Sequence, residues 1–384
     1  MSLIPADQPL SVIAALFAIA AFGFWAERQA WGRAVTGTVW VIIVALLAGN
    51  LGVLPSDSPA YGAVSSYLVP ILIPLFLFGA DLRRILGETG RLFLAFVLAI
   101  GATASGALIA GLLLPLGAFE PLRAEISGLF TATYIGGSVN WAAAIDSLGL
   151  GGNGALISAG TAVDYLYSVA WLGALAAAPA IQGFAARFVT KDHSGTAATE
   201  TETKAQTGSR IDAGSLAGAI AVAAITAAVG TALADALGLS AYKYLFITVL
   251  VVIPATLIPK RMAKLHGGYE LGVGLAFVYF ASIVAGADIP TLIATAPLLA
   301  VFVGVIIIVH GLVMVIGGLV LKLSLPELIT ASNAAVLGPT TAPALAASRG
   351  WTGLVTPGVL VGVFGYATGT FVALAVARAL GWSP

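Results

Sequence analysis

The chain has 384 residues, of which 59% are hydrophobic and only 9% charged, with 17 basic residues balanced by 17 acidic ones. A soluble domain carries about 25% charged residues, so this composition belongs to an integral membrane protein, and zero net charge gives no footprint for nucleic-acid binding. The chain has no cysteine, which excludes disulfides, thiol nucleophiles and thiolate metal sites.

A membrane crossing takes roughly 20 apolar residues. In chain order the first half offers Leu10–Ala26, Ala34–Leu54, Val64–Ala80 and Leu92–Leu116. Next comes Ile126–Leu148, an apolar run broken by Gly136-Gly137-Ser138, and then Ala155–Ile181. Residues 190–209 are rich in Thr, Ala and Glu and lack an apolar period, so they read as a flexible cytoplasmic linker. The second half offers Ala213–Leu237, Tyr244–Leu257, Glu270–Ala285 and Thr291–Leu323. It continues with Leu325–Ser348, broken by Gly338-Pro339-Thr340, and ends with Leu354–Leu380.

Six runs lie on each side of the linker, and they align. An offset of 201 carries Gly137 onto Gly338, Gly149 onto Gly350 and Tyr165 onto Tyr366. Gly79-Ala80-Asp81 recurs as Gly286-Ala287-Asp288 at the end of each third run. Residues 1–189 and 210–384 therefore read as two copies of one repeat.

Lys and Arg collect on the cytoplasmic side of a membrane protein. If the interrupted runs cross the membrane, the 17 basic residues split 7 to 10. If each instead enters and leaves by one face, 14 share a side and only Arg123, Lys243 and Arg378 lie opposite. The second arrangement makes five crossings per half. The second repeat is then inverted, both termini are outside and the linker is inside. The fold class expected is an all-α polytopic membrane protein, an inverted-repeat transporter with about ten spanning helices and two re-entrant or broken helical elements.

At each break one half-helix ends, offering free carbonyls, and another begins, offering free N–H groups and the positive end of a dipole. Thr133, Gly136, Gly137, Ser138 and Asn140 stand at the first break. Ser332, Asn333, Gly338, Pro339, Thr340 and Thr341 stand at the second. Small residues allow close packing, and hydroxyls and amides supply directed donors and acceptors. Asp164 lies about 15 Å into its helix, and an intramembrane carboxylate is a functional candidate by default. Its repeat mate is Gly365. Na⁺ near Asp164 and Thr133, with Tyr165 and Tyr366 lining the same space, is the expected ion-coupling arrangement. Asp81 and Asp288 read as caps or interfacial residues, Asp146 as an outer-rim residue, and His310 as a packing histidine. No nucleophile–base set is visible, so the chain does not read as an enzyme.

The segments LVPILIPLFLFGADLRRI (Leu68–Ile85), TATYIGGSVN (Thr131–Asn140) and GPTTAPALAASRGW (Gly338–Trp351) resemble the membrane family catalogued as domain of unknown function 819. The similarity runs along nearly the whole chain. That family is grouped with the cation:proton antiporter and anion transporter superfamily, beside bile acid:sodium, glutamate:sodium and 2-hydroxycarboxylate symporters. The resemblance implies a core domain holding the interrupted elements and a scaffold domain, each built from both repeats, moving in an elevator-like manner. It also leaves a homodimer open. The chain departs from the carboxylate symporters in having no Arg at either break.

The resulting expectation is a secondary active transporter in the cell (inner) membrane. It would move a small organic solute, monocarboxylate or amino-acid-like, coupled to Na⁺ or H⁺ and without a cofactor. A monovalent cation/proton antiporter using Asp164 is the alternative, and a passive channel or sensor comes third.

Overall fold

The computed structural model describes residues 2–32, 37–194, 211–287 and 289–384. Most of the linker expected at 190–209 lies outside these, as do Arg33, Lys204, Arg210 and Asp288. The first half forms α1 (Pro9–Ala26), α2 (Gly37–Asn50), α3 (Pro59–Leu77), α4 (Leu82–Glu88), α5 (Arg91–Leu113), α6 (Arg123–Ser147) and α7 (Gly154–Ala177). The second half forms α8 (Ala213–Ala236), α9 (Lys243–Leu257), α10 (Gly268–Val284), α11 (Ile289–Val320), α12 (Leu325–Val336), α13 (Thr341–Ser348) and α14 (Val355–Ala379). Among the described residues there is no strand.

Eight of these helices, α1, α3, α5, α7, α8, α9, α11 and α14, are long and apolar enough to cross a membrane, and α2 and α10 are shorter apolar helices. A helix meets every backbone hydrogen bond within itself, as an apolar surrounding requires. Side-chain caps set several starts. Ser58 accepts the Ala60 N–H at 3.3 Å ahead of Pro59. Asp81 caps α4 through the N–H groups of Arg83 and Arg84, which is the capping role its sequence position allowed. Reciprocal capping boxes start α8 (Asp212 with Ser215) and α12 (Ser324 with Glu327).

The helices pack in two groups, each drawing on both halves of the chain. In one, α10 lies against α1, α2 and α3, while α8 lies against α3 and α9. In the other, α14 lies along α6, α11 along α5 and α7, and α12 along α5. The arms of α6 fold back on each other at its break. A Cβ on Gly128 in the first arm would come within 3.1 Å of Leu148, just past the end of the second.

The second interrupted element has both its ends tied to one short segment. His193 Nε2 meets Ser324 Oγ at 2.8 Å at the start of α12, and its carbonyl accepts the Gly353 N–H at 2.8 Å beyond α13. Lys191 Nζ and Arg91 Nε lie 3.3 and 3.6 Å from the buried Glu327 carboxylate. Residues 190–194, assigned by sequence to the flexible linker, are thus a strap across the base of this element.

Burial holds the His193 imidazole below its ordinary value of 6.5, assisted by Lys191 and opposed by Glu327 and Asp192. The fold favours neutral His193, so the strap is fully stable above that value and loosens as pH falls through the depressed one. Amide exchange across residues 190–194, corrected for intrinsic rates, is expected to quicken on acidification. Protection independent of pH, or greater in acid, would contradict this.

Candidate functional site

The first break is built on two glycines. Gly137 sits at φ 59°, ψ −157°, a conformation closed to residues with a Cβ, and Gly136 at φ −132°, ψ 15°. Asn140, three residues on and buried, secures the break to α14. Its amide donates to the Gly136 carbonyl at 3.0 Å and the Tyr366 carbonyl at 3.1 Å. Its Oδ1 accepts the Thr370 N–H at 2.9 Å and the Thr370 hydroxyl. The carbonyl of residue 366 and the N–H of residue 370 are an i, i+4 pair of α14, so Asn140 grips one full step of that helix. The approach requires Gly365, where a Cβ would fall 2.2 Å from the Ile135 carbonyl oxygen.

The second break follows the same logic with different residues. Gly338 takes φ 95°. The Asn333 carbonyl accepts the N–H groups of Leu337 and Gly338 at 2.8 and 3.2 Å, and its side-chain oxygen accepts the Thr341 hydroxyl at 2.6 Å. Pro339 packs so closely on Gly362 of α14 that a Cβ there would lie 2.6 Å from its Cα.

Tyr366 stands between the two breaks. Cβ atoms built on Gly137 and Gly338 would lie 3.7 and 3.8 Å from its ring and hydroxyl. Its edge meets Phe76 with centroids 6.0 Å apart, and its hydroxyl faces that of Tyr269. Ser138, Thr340 and Tyr366 form the wall of a cavity of about 910 Å³ on the α6/α14 side. The facing wall comes from α1 and α10, with Phe24 and Phe277 stacked at 4.5 Å, and Glu27, Arg28 and Glu270 also line the cavity. A second cavity, of about 460 Å³, lies where the loop before α7 meets α3 and the end of α10, and includes Asp57, Tyr61, Gly151 and Ser282. There α7 and α10 close tightly, for a Cβ on Gly154 would be 2.8 Å from the Ile283 carbonyl oxygen.

Behind the breaks runs a buried polar chain. The Trp171 indole N–H donates to Ser332 Oγ at 2.9 Å, Ser332 meets His310 Nε2 at 2.9 Å, and His310 Nδ1 meets Thr103 Oγ1 at 2.9 Å. Thr103 in turn donates to the Tyr134 carbonyl at 3.3 Å. The single hydroxyl proton of Thr103 is thereby used, so His310 Nδ1 carries a hydrogen and Ser332 donates to Nε2. The count closes with a neutral imidazole. His310 thus connects α7, α12, α11, α5 and α6, a role that its isolation in an apolar run concealed.

Asp164 lies apart from the large cavity, on α7, facing the hydroxyls of Thr133 and Tyr134. Its Oδ1 and the Tyr134 hydroxyl are buried without a partner of hydrogen-bond geometry. These are oxygen donors only, the chemistry that suits a hard cation or a proton. Tyr165 is half-buried on α7 and outside the cavity lining, and Asp146 sits at the end of α6, 2.9 Å from both Lys243 Nζ and the Tyr244 hydroxyl.

The residues expected from sequence thus divide. Ser138, Thr340 and Tyr366 face the cavity; Asn140, Asn333 and Thr341 brace the breaks; Gly136, Gly137, Gly338 and Pro339 supply backbone shape; Ser332 joins the polar chain; Asp164 and Thr133 form a separate pair. Sequence reasoning missed Phe24, Glu27, Arg28, Tyr269, Phe277, Tyr134 and Trp171. The acidic and basic residues closing α1 and opening α10 were its only available signal.

The fold and these features define an all-helical polytopic membrane protein with a cavity served by two interrupted helices. The chain belongs to a family described as protein of unknown function (DUF819), whose model matches residues 14–381. It is 33% identical over 367 residues to the uncharacterized membrane protein YjcL of Bacillus subtilis (strain 168), with 90% of each chain covered.

Replacing His310 by Leu leaves the buried Ser332 hydroxyl proton without its acceptor and removes the ring N–H that Thr103 accepts, although the Trp171 and Tyr134 bonds remain, at about 1–3 kcal/mol for the unmet donor. His310→Leu should lower the unfolding temperature of detergent-purified protein by several degrees. An unchanged or higher temperature would show that the chain is not a brace.

Proposed function

We propose that this protein is a secondary active transporter, moving a small organic solute of monocarboxylate or amino-acid-like type in exchange with, or together with, Na⁺ or H⁺. One observation carries the reading: two helices interrupted at glycine meet at Tyr366 on the wall of a cavity of about 910 Å³. Paired interruptions in corresponding positions of two halves are the expected signature of a transport site.

In this reading α2 and α10 join the eight longer apolar helices to give ten crossings, five per half. The α6 hairpin enters from outside and the α12–α13 hairpin from inside. The folded-back arms of α6 and the His193 strap at both ends of α12–α13 support this. The group containing α5, α6, α7 and α11 to α14 acts as the moving core, and the group containing α1 to α3 and α8 to α10 as the scaffold. The large cavity opens among the end of α1 and the starts of α2 and α10, which the proposed topology assigns to the cytoplasmic side, so in this reading the conformation faces the cytoplasm. The small cavity on the other side marks the closed path. Asp164, with Thr133 and Tyr134, carries the coupling ion, separate from the solute at Ser138, Thr340 and Tyr366. The separation, and the buried cluster of oxygens that Asp164 makes with Thr133 and Tyr134, support distinct ion and solute sites.

Uptake into proteoliposomes should require an imposed Na⁺ or H⁺ gradient, and Asp164→Asn should abolish that dependence while leaving the protein folded. Gradient-independent flux in the wild type, or unaltered coupling in the variant, would overturn the reading.

A further inference from the structure

The cavity wall restricts what the solute can be. Resting on the transporter reading, we infer that the occupant is a monocarboxylate with a flat aromatic body, seated with its carboxylate at the two helix breaks.

The polar groups of the cavity are segregated. On the α6/α14 side they are the hydroxyls of Ser138, Thr340 and Tyr366. Beside them the second arm of α6 and α13 begin, the latter without a side-chain cap, so the positive ends of two helices stand here. The Gly136 and Asn333 carbonyls of the ending arms are already bonded by the Asn140 amide and by the Leu337 and Gly338 N–H groups. No carboxylate of the lining comes from this side, since Glu27 lies in the turn between α1 and α2 and Glu270 on α10. A cationic group would meet repulsion here; an anionic one would be stabilised. Neither break contributes an Arg or Lys to the lining, and its Arg28 stands on the opposite wall beside Glu27, so the donors and dipoles at the breaks suit one negative charge better than two.

The carboxylates of the opposite side stand at helix starts. Glu27 accepts the Gly37 N–H at 2.8 Å at the start of α2, and Glu270 lies in the first turn of α10. Each is an acid at a helix N-terminus, the placement that compensates its charge. With both acids at helix starts and Glu27 already accepting a backbone N–H, the wall is compensated without a ligand ammonium, which argues against a zwitterion.

Between these groups the lining is aromatic. Phe24 stacks on Phe277 across one side, while Phe76 meets Tyr269 and Tyr366 edge-on at 5.3 and 6.0 Å across the other. Ring faces and edges at such spacings favour a planar aromatic guest over a branched aliphatic one. A body of this kind also bridges the two helix groups, since Tyr366 belongs to one and Phe24 to the other.

Phenylacetate, acetate, phenethylamine and succinate, tested by thermal shift and titration calorimetry on the purified full chain, separate the candidates. Phenylacetate should bind and stabilise most. Phe24→Ala should weaken its binding by about three- to tenfold, with Phe24→Tyr restoring affinity and certifying that the position tolerates change. Tighter binding of the amine or of succinate, no binding of phenylacetate, equal binding of acetate, or indifference to Phe24→Ala would each overturn the inference. Uptake assays keep the two claims apart. Binding of phenylacetate without gradient-driven uptake would defeat the transporter reading alone, whereas coupled uptake of a different solute class would defeat only the aromatic acid.

Discussion

An interrupted helix inside an apolar protein leaves backbone N–H and C=O groups that have no water to bond. Everything at the centre of this molecule follows from how those groups are met. At the first break Asn140 joins the broken strand of backbone to the Tyr366–Thr370 step of α14. At the second, Asn333 bonds the backbone around Gly338 and the Thr341 hydroxyl that opens α13. Glycines 362, 365 and 369 on α14 make both contacts geometrically feasible, because a side chain at any of them would strike Pro339, Ile135 or Asn140. One helix thus holds both breaks, and its single tyrosine between them faces the cavity.

The buried chain through His310 extends that support. It ties the first arm of α6, through the Tyr134 carbonyl, to α12 through Ser332, using hydroxyls and one neutral ring. Buried polar networks of this kind rigidify when every member is satisfied. The two breaks are therefore held in fixed relation to each other, while the cavity wall facing them is contributed by α1 and α10. Between the two groups lie apolar packing, the open cavity and a few polar pairs, among them Asp146 with Lys243 and Tyr244 and the Tyr279 hydroxyl donating to the Ala142 carbonyl.

Much of this was legible in the sequence, and the reasons are physical. Glycine-centred breaks in apolar runs cannot be hidden, because only glycine takes the backbone angles of Gly137 and Gly338. Asp164 stood out because a carboxylate in an apolar helix is costly. Long runs translated into helices within a few residues; Thr291–Leu323, for example, became Ile289–Val320. What stayed hidden depends on contacts between distant segments. Phe24, Tyr269 and Phe277 look like any other aromatic residues in apolar helices until folding places them on one cavity. His310 looked isolated because its partners lie on other helices. The strap at residues 190–194 was read as part of the linker because its composition is polar and its partners, Ser324, Glu327 and Gly353, are more than a hundred residues away.

The central claim is that the two interrupted elements open from opposite faces of the membrane, and the absence of cysteine makes it directly measurable. Single cysteines replace two exposed residues, Gly151 just past the α6 element and Ser348 at the end of α13. An impermeant maleimide applied to intact cells should label the Gly151→Cys protein and spare Ser348→Cys, with the pattern reversed in inverted membrane vesicles. Labelling of both positions from the same face would contradict the account.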